Sequence, residues 1–490
     1  MACRAILSID EGTTNSKAVL VSDNGSVLSR GSCPVEIHHP KPGWVEQDAN
    51  KIWSSTIAAI ATCLENSPTT EISAIGISNQ RESVLAWDRT TGEPIGPVIT
   101  WQCRRTMQAC DTLRAAGNEA MVIAKTGLPL DPLFPAAKIR WLLENHCQFK
   151  ADDDVCFGTV DSWLIWKFTG AAIHATDASN AARTQLYNIR SGEWDTELCD
   201  LFGTDPALLP VVQDSSGVFG TTKKVDGLPD GIPIASAIGD SHGALFGHCA
   251  FNSGDSKVTL GTGSSIMANI QEFIEPPKGI TTTIAWQLKG DPTYAFEGNI
   301  LVSASVLPWT AELLGLANVD ALLELAQSVD DTLGVNLVPA HVGLGSPHWN
   351  ADARGLIDGL TFGTGPAHVA HAAALSMALQ ICDVFDIMKA NIPTDAGFLS
   401  VDGGPSRNTF IMQKVADYLN HPVTIRENSE ASAIGAAFLA GLEVGFWSGP
   451  DEIAGLDRRD RTLEPNLDET TRSSVRANWF KSIARSTHGT

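Results

Sequence analysis

At 490 residues the chain is longer than one ordinary core supports, so two domains are expected. Its 43% hydrophobic and 18% charged content describes a folded protein with ample core. A formal net charge of −22 argues against nucleic acid or an anionic membrane as a partner, because both select Lys and Arg. Residues 1–5 lack the long apolar segment of a signal peptide. The ten cysteines are scattered, with no C-x-x-C pair, and read as reduced thiols packed as small apolar residues. A cytoplasmic location is therefore expected, and no apolar run approaches the roughly 20 residues of a membrane span.

Residues 5–10 and 17–22 read as a hairpin turned at Asp23-Asn24-Gly25, with the next strand beginning at Val27. Between the two strands lies Asp10-Glu-Gly12-Thr13-Thr14-Asn15-Ser-Lys17. This segment offers a carboxylate for a hard cation, glycine-freed backbone N–H groups and two hydroxyls, a set suited to a magnesium-bound polyphosphate. Ile52, Ile57, Ile60 and Leu64 recur at helical spacing, predicting a helix over 48–66. A strand over 72–78 ends at Asn79-Gln80-Arg81-Glu82. Further helices are expected over 103–116, 135–145 and 160–169, and a strand over 232–238 runs into Gly239-Asp240-Ser241.

From there the pattern restarts, with a strand over 256–260 and a second phosphate-type turn at Gly261-Thr262-Gly263. Strands over 265–270 and 282–287 and a long helix over 368–390 follow. A strand over 397–401 delivers Asp402-Gly403-Gly404, and 432–442 is the closing helix. The tail beyond Ala484 is expected to fray. Two strand–turn phosphate motifs half a chain apart predict two related domains facing one nucleotide. The boundary is placed at 247/248, giving domains over 1–247 and 248–490.

The order of acidic turn, Gly-Thr-Gly turn and Asp402-Gly403-Gly404 resembles the phosphate and adenosine motifs of actin-like ATPases. That superfold also serves filaments and chaperones, so it does not name a function. Lys41-Pro-Gly-Trp44, Asn79-Gln80-Arg81-Glu82, Trp101-Gln-Cys-Arg104-Arg105, Asp161-Ser-Trp163, Ala182-Arg183-Thr184 and Gly239-Asp240 are more specific. Their order resembles the glycerol kinases of the FGGY carbohydrate kinase family, and the likeness covers nearly the whole chain. It implies an α/β fold of two actin-like (ribonuclease H-like) ATPase domains with the active site in the cleft between them. A polymerising or chaperone ATPase would not need Arg81-Glu82 or Trp101, and a non-catalytic relative would be expected to lose Asp10 or Asp240.

The resemblance implies transfer of the γ-phosphate of Mg·ATP to a hydroxyl, with Asp240 as general base and Asp10 holding Mg²⁺ through water. Gly12, Thr13, Thr14, Asn15, Lys17, Gly261, Thr262 and Gly263 would line the phosphates. Gly403, Gly404 and Asn408 would line the adenosine. Arg81, Glu82, Trp101 and Asp240 would hold a polyol or sugar, and a homo-dimer or tetramer is implied. Three acceptor positions depart from the family pattern: Leu133, Ser241 and Ser265 stand where tyrosine, glutamine and an aromatic ring are expected. Each is smaller, which predicts an acceptor larger than glycerol, such as a tetritol or pentitol. Glycerol itself or a xylulose-type sugar are the alternatives. His242 reads as a half-buried structural residue. Ala304 and Pro308 stand where a glycine and a glutamine are expected beside the adenine.

Overall fold

The structure, a computed structural model, describes residues 4–147, 155–426, 430–456 and 460–487. Two large sheets dominate it, and they share one strand order. In the N-terminal sheet Val27–Pro34, Asn15–Ser22 and Arg4–Glu11 form an antiparallel meander. Glu71–Asn79 and Pro233–Gly239 then add in parallel, and Ser216–Thr221 closes the edge antiparallel. The C-terminal sheet repeats this with Asp291–Ile300, Ser264–Gln271 and Ser256–Leu260, then Leu399–Gly403, Val423–Ile425 and Arg461–Leu463. One extra strand, Thr281–Leu288, extends its meander side.

Equivalent strand order puts the two turns in equivalent places: the connection after Arg4–Glu11 and that after Ser256–Leu260 are the same hairpin. The hairpin turn in the first sheet is therefore the acidic glycine-threonine segment itself. Asp23-Asn24-Gly25, expected to turn that hairpin, instead joins its second strand to Val27–Pro34. Gly25 takes φ 77° there. The apolar runs are as expected of strands buried on both faces, with Ala5, Ile6, Leu7, Ile9, Ala74, Ile75 and Ile77 all fully buried.

Helices cover both sheets, and two of them tie the halves together. Asp240–Gly247 leaves the last parallel strand of the first sheet and packs toward the second, where Phe246 meets Trp286 with ring centroids 5.1 Å apart. Ala431–Glu443 does the reverse. Its Ala436 and Leu439 carbonyls accept from Ser236 Oγ at 2.7 Å and Ser216 Oγ at 2.9 Å in the first sheet. The two helices cross so closely that a Cβ on Gly435 would lie 1.8 Å from the Gly243 carbonyl oxygen. Only glycine permits that approach. The resulting core joins Ile6, Val19 and Ile238 of one sheet with Met267, Ala285 and Ala295 of the other.

Two further expectations are corrected. Glu469–Thr487 is one helix with Trp479, Ile483 and Ser486 buried, so the chain does not fray at Ala484. Pro366–Asn391 is long and apolar enough by composition to cross a membrane, although no such run was expected. Its small residues raise the average, and its middle, residues 370–385, is buried in the C-terminal core. None of the nine described cysteines forms a disulfide.

Candidate active site

Glu71–Asn79 ends with its last residues beside the first turn: Asp10 is opposite Ser78 and Glu11 opposite Asn79. Ser78 Oγ donates to Asp10 Oδ1 at 3.0 Å. Burial pushes the Asp10 carboxyl up to about 6, with Lys17 opposing and Asp240 adding to the rise. The Thr13 carbonyl accepts from Gln47 Nε2 at 2.7 Å, and Gln47 Oε1 accepts from Gln80 Nε2 at 2.9 Å. Amide side chains thereby hold the turn from below. Thr14 Oγ1 accepts from Asn15 Nδ2 at 3.1 Å, and Thr14 itself is exposed. Lys17 Nζ lies 3.0 Å from Glu430 Oε2, at the start of the helix that crosses from the other half, and its charge also acts on Asp10.

The second turn is braced by the segment after Ile300. Ala304 N donates to Gly261 O at 3.0 Å, and Ser303 N donates to Thr262 O at 2.8 Å. Leu260 is in register with Gly403, so the Gly261–Gly263 turn and Asp402-Gly403-Gly404 emerge side by side. Gly403 takes φ 92°, and a Cβ on it would lie 2.0 Å from the Leu260 carbonyl oxygen. A Cβ on Gly404 would meet nothing within 4 Å, leaving that surface open. Asn408 caps Thr409–Leu419, its Oδ1 accepting from Ile411 N at 3.1 Å. Pro308 is the third residue of Val306–Leu313, where a helix N–H has no intrahelical partner, so it interrupts no helical hydrogen bond.

Across the cleft the groups are charged. Arg81 Nε donates to Asp240 Oδ1 at 3.0 Å, Nη1 to Glu297 Oε1 at 2.6 Å, and Nη2 to Ser241 Oγ at 3.3 Å. Ser241 Oγ donates to Ser265 Oγ at 3.2 Å, which also accepts from Lys257 Nζ at 3.3 Å. Glu82 takes φ 61°, and its Oε1 accepts from Arg183 Nε at 2.6 Å. Trp101 is 37% exposed, and its indole N–H donates to Thr13 Oγ1 at 2.9 Å, joining the acceptor side to the first turn. Leu133 enters through its carbonyl, which accepts from Lys138 Nζ at 2.5 Å, and the same ammonium donates to Glu82 O at 3.1 Å.

Four of these groups had no role assigned from sequence. Arg183 stands inside a motif that carried the resemblance, and Glu297 stands outside those motifs. Lys138 and Lys257 sit in apolar contexts, a fully buried lysine on an apolar face being itself the signal of a polar site nearby. Burial brings Lys138 down to about 7 and Lys257 to about 8. Burial also raises Glu297, but Arg183 and Arg81 outweigh it and hold that carboxyl well below the usual range. His242 is fully rather than half buried, and burial beside Arg81 keeps its ring neutral. Among the described residues no cluster of three His, Cys, Asp or Glu groups forms a metal cage.

The family whose description is FGGY family of carbohydrate kinases matches through its N-terminal domain over residues 5–247 and its C-terminal domain over 256–444. The chain belongs to the FGGY carbohydrate kinases. It is 44% identical to the glycerol kinase of Burkholderia cenocepacia (strain HI2424), over 98% of this chain and 97% of that protein. It is 42% identical to the glycerol kinase of Deinococcus radiodurans over the same shares. The structure of Plasmodium falciparum glycerol kinase with ADP superposes with a TM-score of 0.93 at 30% identity, covering 99% of this chain and 98% of that one. An FGGY chain of this kind is an ATP-dependent kinase with a two-domain fold and a small-molecule acceptor.

Proposed function

We propose that this FGGY kinase transfers the γ-phosphate of ATP to a terminal hydroxyl of glycerol. The observation that carries the acceptor is full-length identity of 44% to proteins named glycerol kinase. The larger acceptor expected from Leu133, Ser241 and Ser265 gains no support from these relatives. It stays only as the reading to be tested, because Ser241 and Ser265 meet hydroxyl to hydroxyl with no bulk between them.

In this reading Asp240 accepts the proton of the attacking hydroxyl as the new O–P bond forms and the bond from Pγ to its bridging oxygen breaks. ADP leaves as the second product. Arg81 fixes the Asp240 carboxylate and, with Glu82, presents a donor and an acceptor to neighbouring hydroxyls. The exposed face of Trp101 covers the C–H side of the polyol. Gly12 to Asn15 and Gly261 to Gly263 receive the phosphates from two sides, and Gly403, Gly404 and the free amide of Asn408 receive the adenosine. Lys17, tied to Glu430, acts at longer range.

One half-buried carboxylate with a single hydroxyl donor suits an ion that keeps its waters, so Asp10 would hold Mg²⁺. When bound, that ion would neutralise charge on the transferring phosphoryl group. The reading is tested by incubating the enzyme with ATP and glycerol and following phosphorus by NMR. A glycerol monophosphate formed in step with ADP is expected; ADP without a phosphorylated polyol would overturn it.

A further inference from the structure

The carboxylate that organises the acceptor groups comes from the opposite half of the molecule. Arg81, Glu82 and Arg183 all belong to the N-terminal half, whereas Glu297 lies on Asp291–Ile300 in the C-terminal sheet. It is fully buried, with Oε1 2.6 Å from Arg81 Nη1 and Oε2 2.7 Å from Arg183 Nη1. Arg81 in turn fixes Asp240, and Arg183 fixes Glu82. One side chain therefore holds both acceptor-side charges at once.

The same strand reaches the nucleotide side. Asp291–Ile300 runs antiparallel to Ser264–Gln271, and three residues beyond Glu297 the Ile300 carbonyl packs on Gly263, 2.4 Å from where a Cβ would stand. Residues 303–305 then donate to the carbonyls of Gly261 and Thr262. Anything that shifts the second phosphate turn against the N-terminal half moves the backbone carrying Glu297. At 2.6–2.7 Å the two ion pairs have little slack, and a buried carboxylate cannot drift from two guanidinium groups without a large loss.

We propose that Glu297 is a positioning residue that couples the two substrates, setting Arg81 and Glu82 for the acceptor according to how the nucleotide places the C-terminal half. The proposal rests on the kinase reading above and adds a thermodynamic property to it. Nucleotide should tighten acceptor binding and acceptor should tighten nucleotide binding by the same factor, as linkage requires. Glu297 touches neither substrate and acts through Arg81 and Arg183.

The test is a calorimetric titration of glycerol into the full-length enzyme, with and without magnesium and a non-hydrolysable ATP analogue. In the wild type the analogue is expected to tighten glycerol by roughly fivefold or more, within the usual range of intersite coupling. Glu297→Gln should bring that ratio to near one. Removing a buried charge risks the fold. Glu297→Asp therefore serves as the second variant: it keeps the charge opposite both guanidinium groups but falls short of reaching both. Each variant is taken forward at wild-type circular dichroism and Tm, and Glu297→Asp should also lose the coupling. A variant that keeps the wild-type ratio, or a wild type with no coupling, overturns the proposal. Failure of the wild type to phosphorylate any polyol would instead sink the functional reading, so the two failures are distinct.

Discussion

The two walls of the cleft are made of different material. The wall proposed to take the nucleotide is backbone: two equivalent hairpin turns, the second braced by main-chain hydrogen bonds from 303–305, and a glycine pair. The wall proposed to take the acceptor is side chain, with Arg81, Asp240, Glu82, Arg183 and Glu297 joined by ion pairs of 2.6–3.0 Å. Phosphate is the same in every substrate of such an enzyme, so a fixed set of N–H groups suffices. An acceptor is recognised by its hydroxyl pattern, which asks for directed donors and acceptors held in a low-dielectric site.

That division gives the variants their expected ranking. The largest effect belongs to the acceptor wall: Asp240→Asn should lower kcat by about 10²–10⁴-fold, the usual range for a general base, while nucleotide affinity stays near wild type. Steady-state kinetics with a parallel nucleotide titration checks both halves of the statement. On the backbone wall, Gly403→Ala forces a Cβ against the Leu260 carbonyl at a positive φ. A strain of about 1–3 kcal/mol should appear as a raised KM for ATP, with the KM for glycerol little changed. If the two KM values rose together, the walls would not be separable.

A smaller effect concerns selectivity. Ser265→Phe should raise kcat/KM for glycerol relative to erythritol by about tenfold, the discrimination a filled pocket provides. An unchanged ratio would mean that Ser265 does not line the acceptor. A separate effect, read in stability and not in catalysis, lies under the first turn. Glu11 is fully buried, and burial pushes its carboxyl up to about 8, against a hydrogen bond from Thr56 Oγ1 at 3.0 Å. A raised pKa stabilises the fold below the unfolded value of 4.5 and loses that contribution as pH rises toward about 8. Wild-type Tm should therefore fall relative to Glu11→Gln between pH 5 and 8, and the difference should level off above. A gap independent of pH would show Glu11 to be ionised throughout.

The same division explains what was legible in the sequence. The turns holding Gly12, Gly261, Gly263 and Gly403 are visible because each follows a strand at a short, local offset. Helix limits were also local: Asp48 and Asn66 do cap Ala49–Glu65, and Pro135 does open Pro135–Asn145. The place of Glu297 against Arg81 and Arg183 is not legible, because these partners lie more than a hundred positions away in the other half of the chain. Lys17 has one half of its surroundings in the sequence and the other half outside it. Its place beside the phosphate turn is local, but its ion pair with Glu430 exists only once the crossing helix has packed. The hairpin turn was misplaced because Asp23-Asn24-Gly25 is a good turn sequence, and only strand pairing shows which two strands it joins.

The central claim is that this cleft phosphorylates glycerol, and acceptor-dependent ADP release tests it most directly. The enzyme would be assayed with Mg·ATP across glycerol, erythritol, threitol, the pentitols and xylulose. Glycerol should give the highest kcat/KM. A four- or five-carbon polyol or xylulose exceeding it would contradict the account and return the acceptor to the space around Leu133, Ser241 and Ser265.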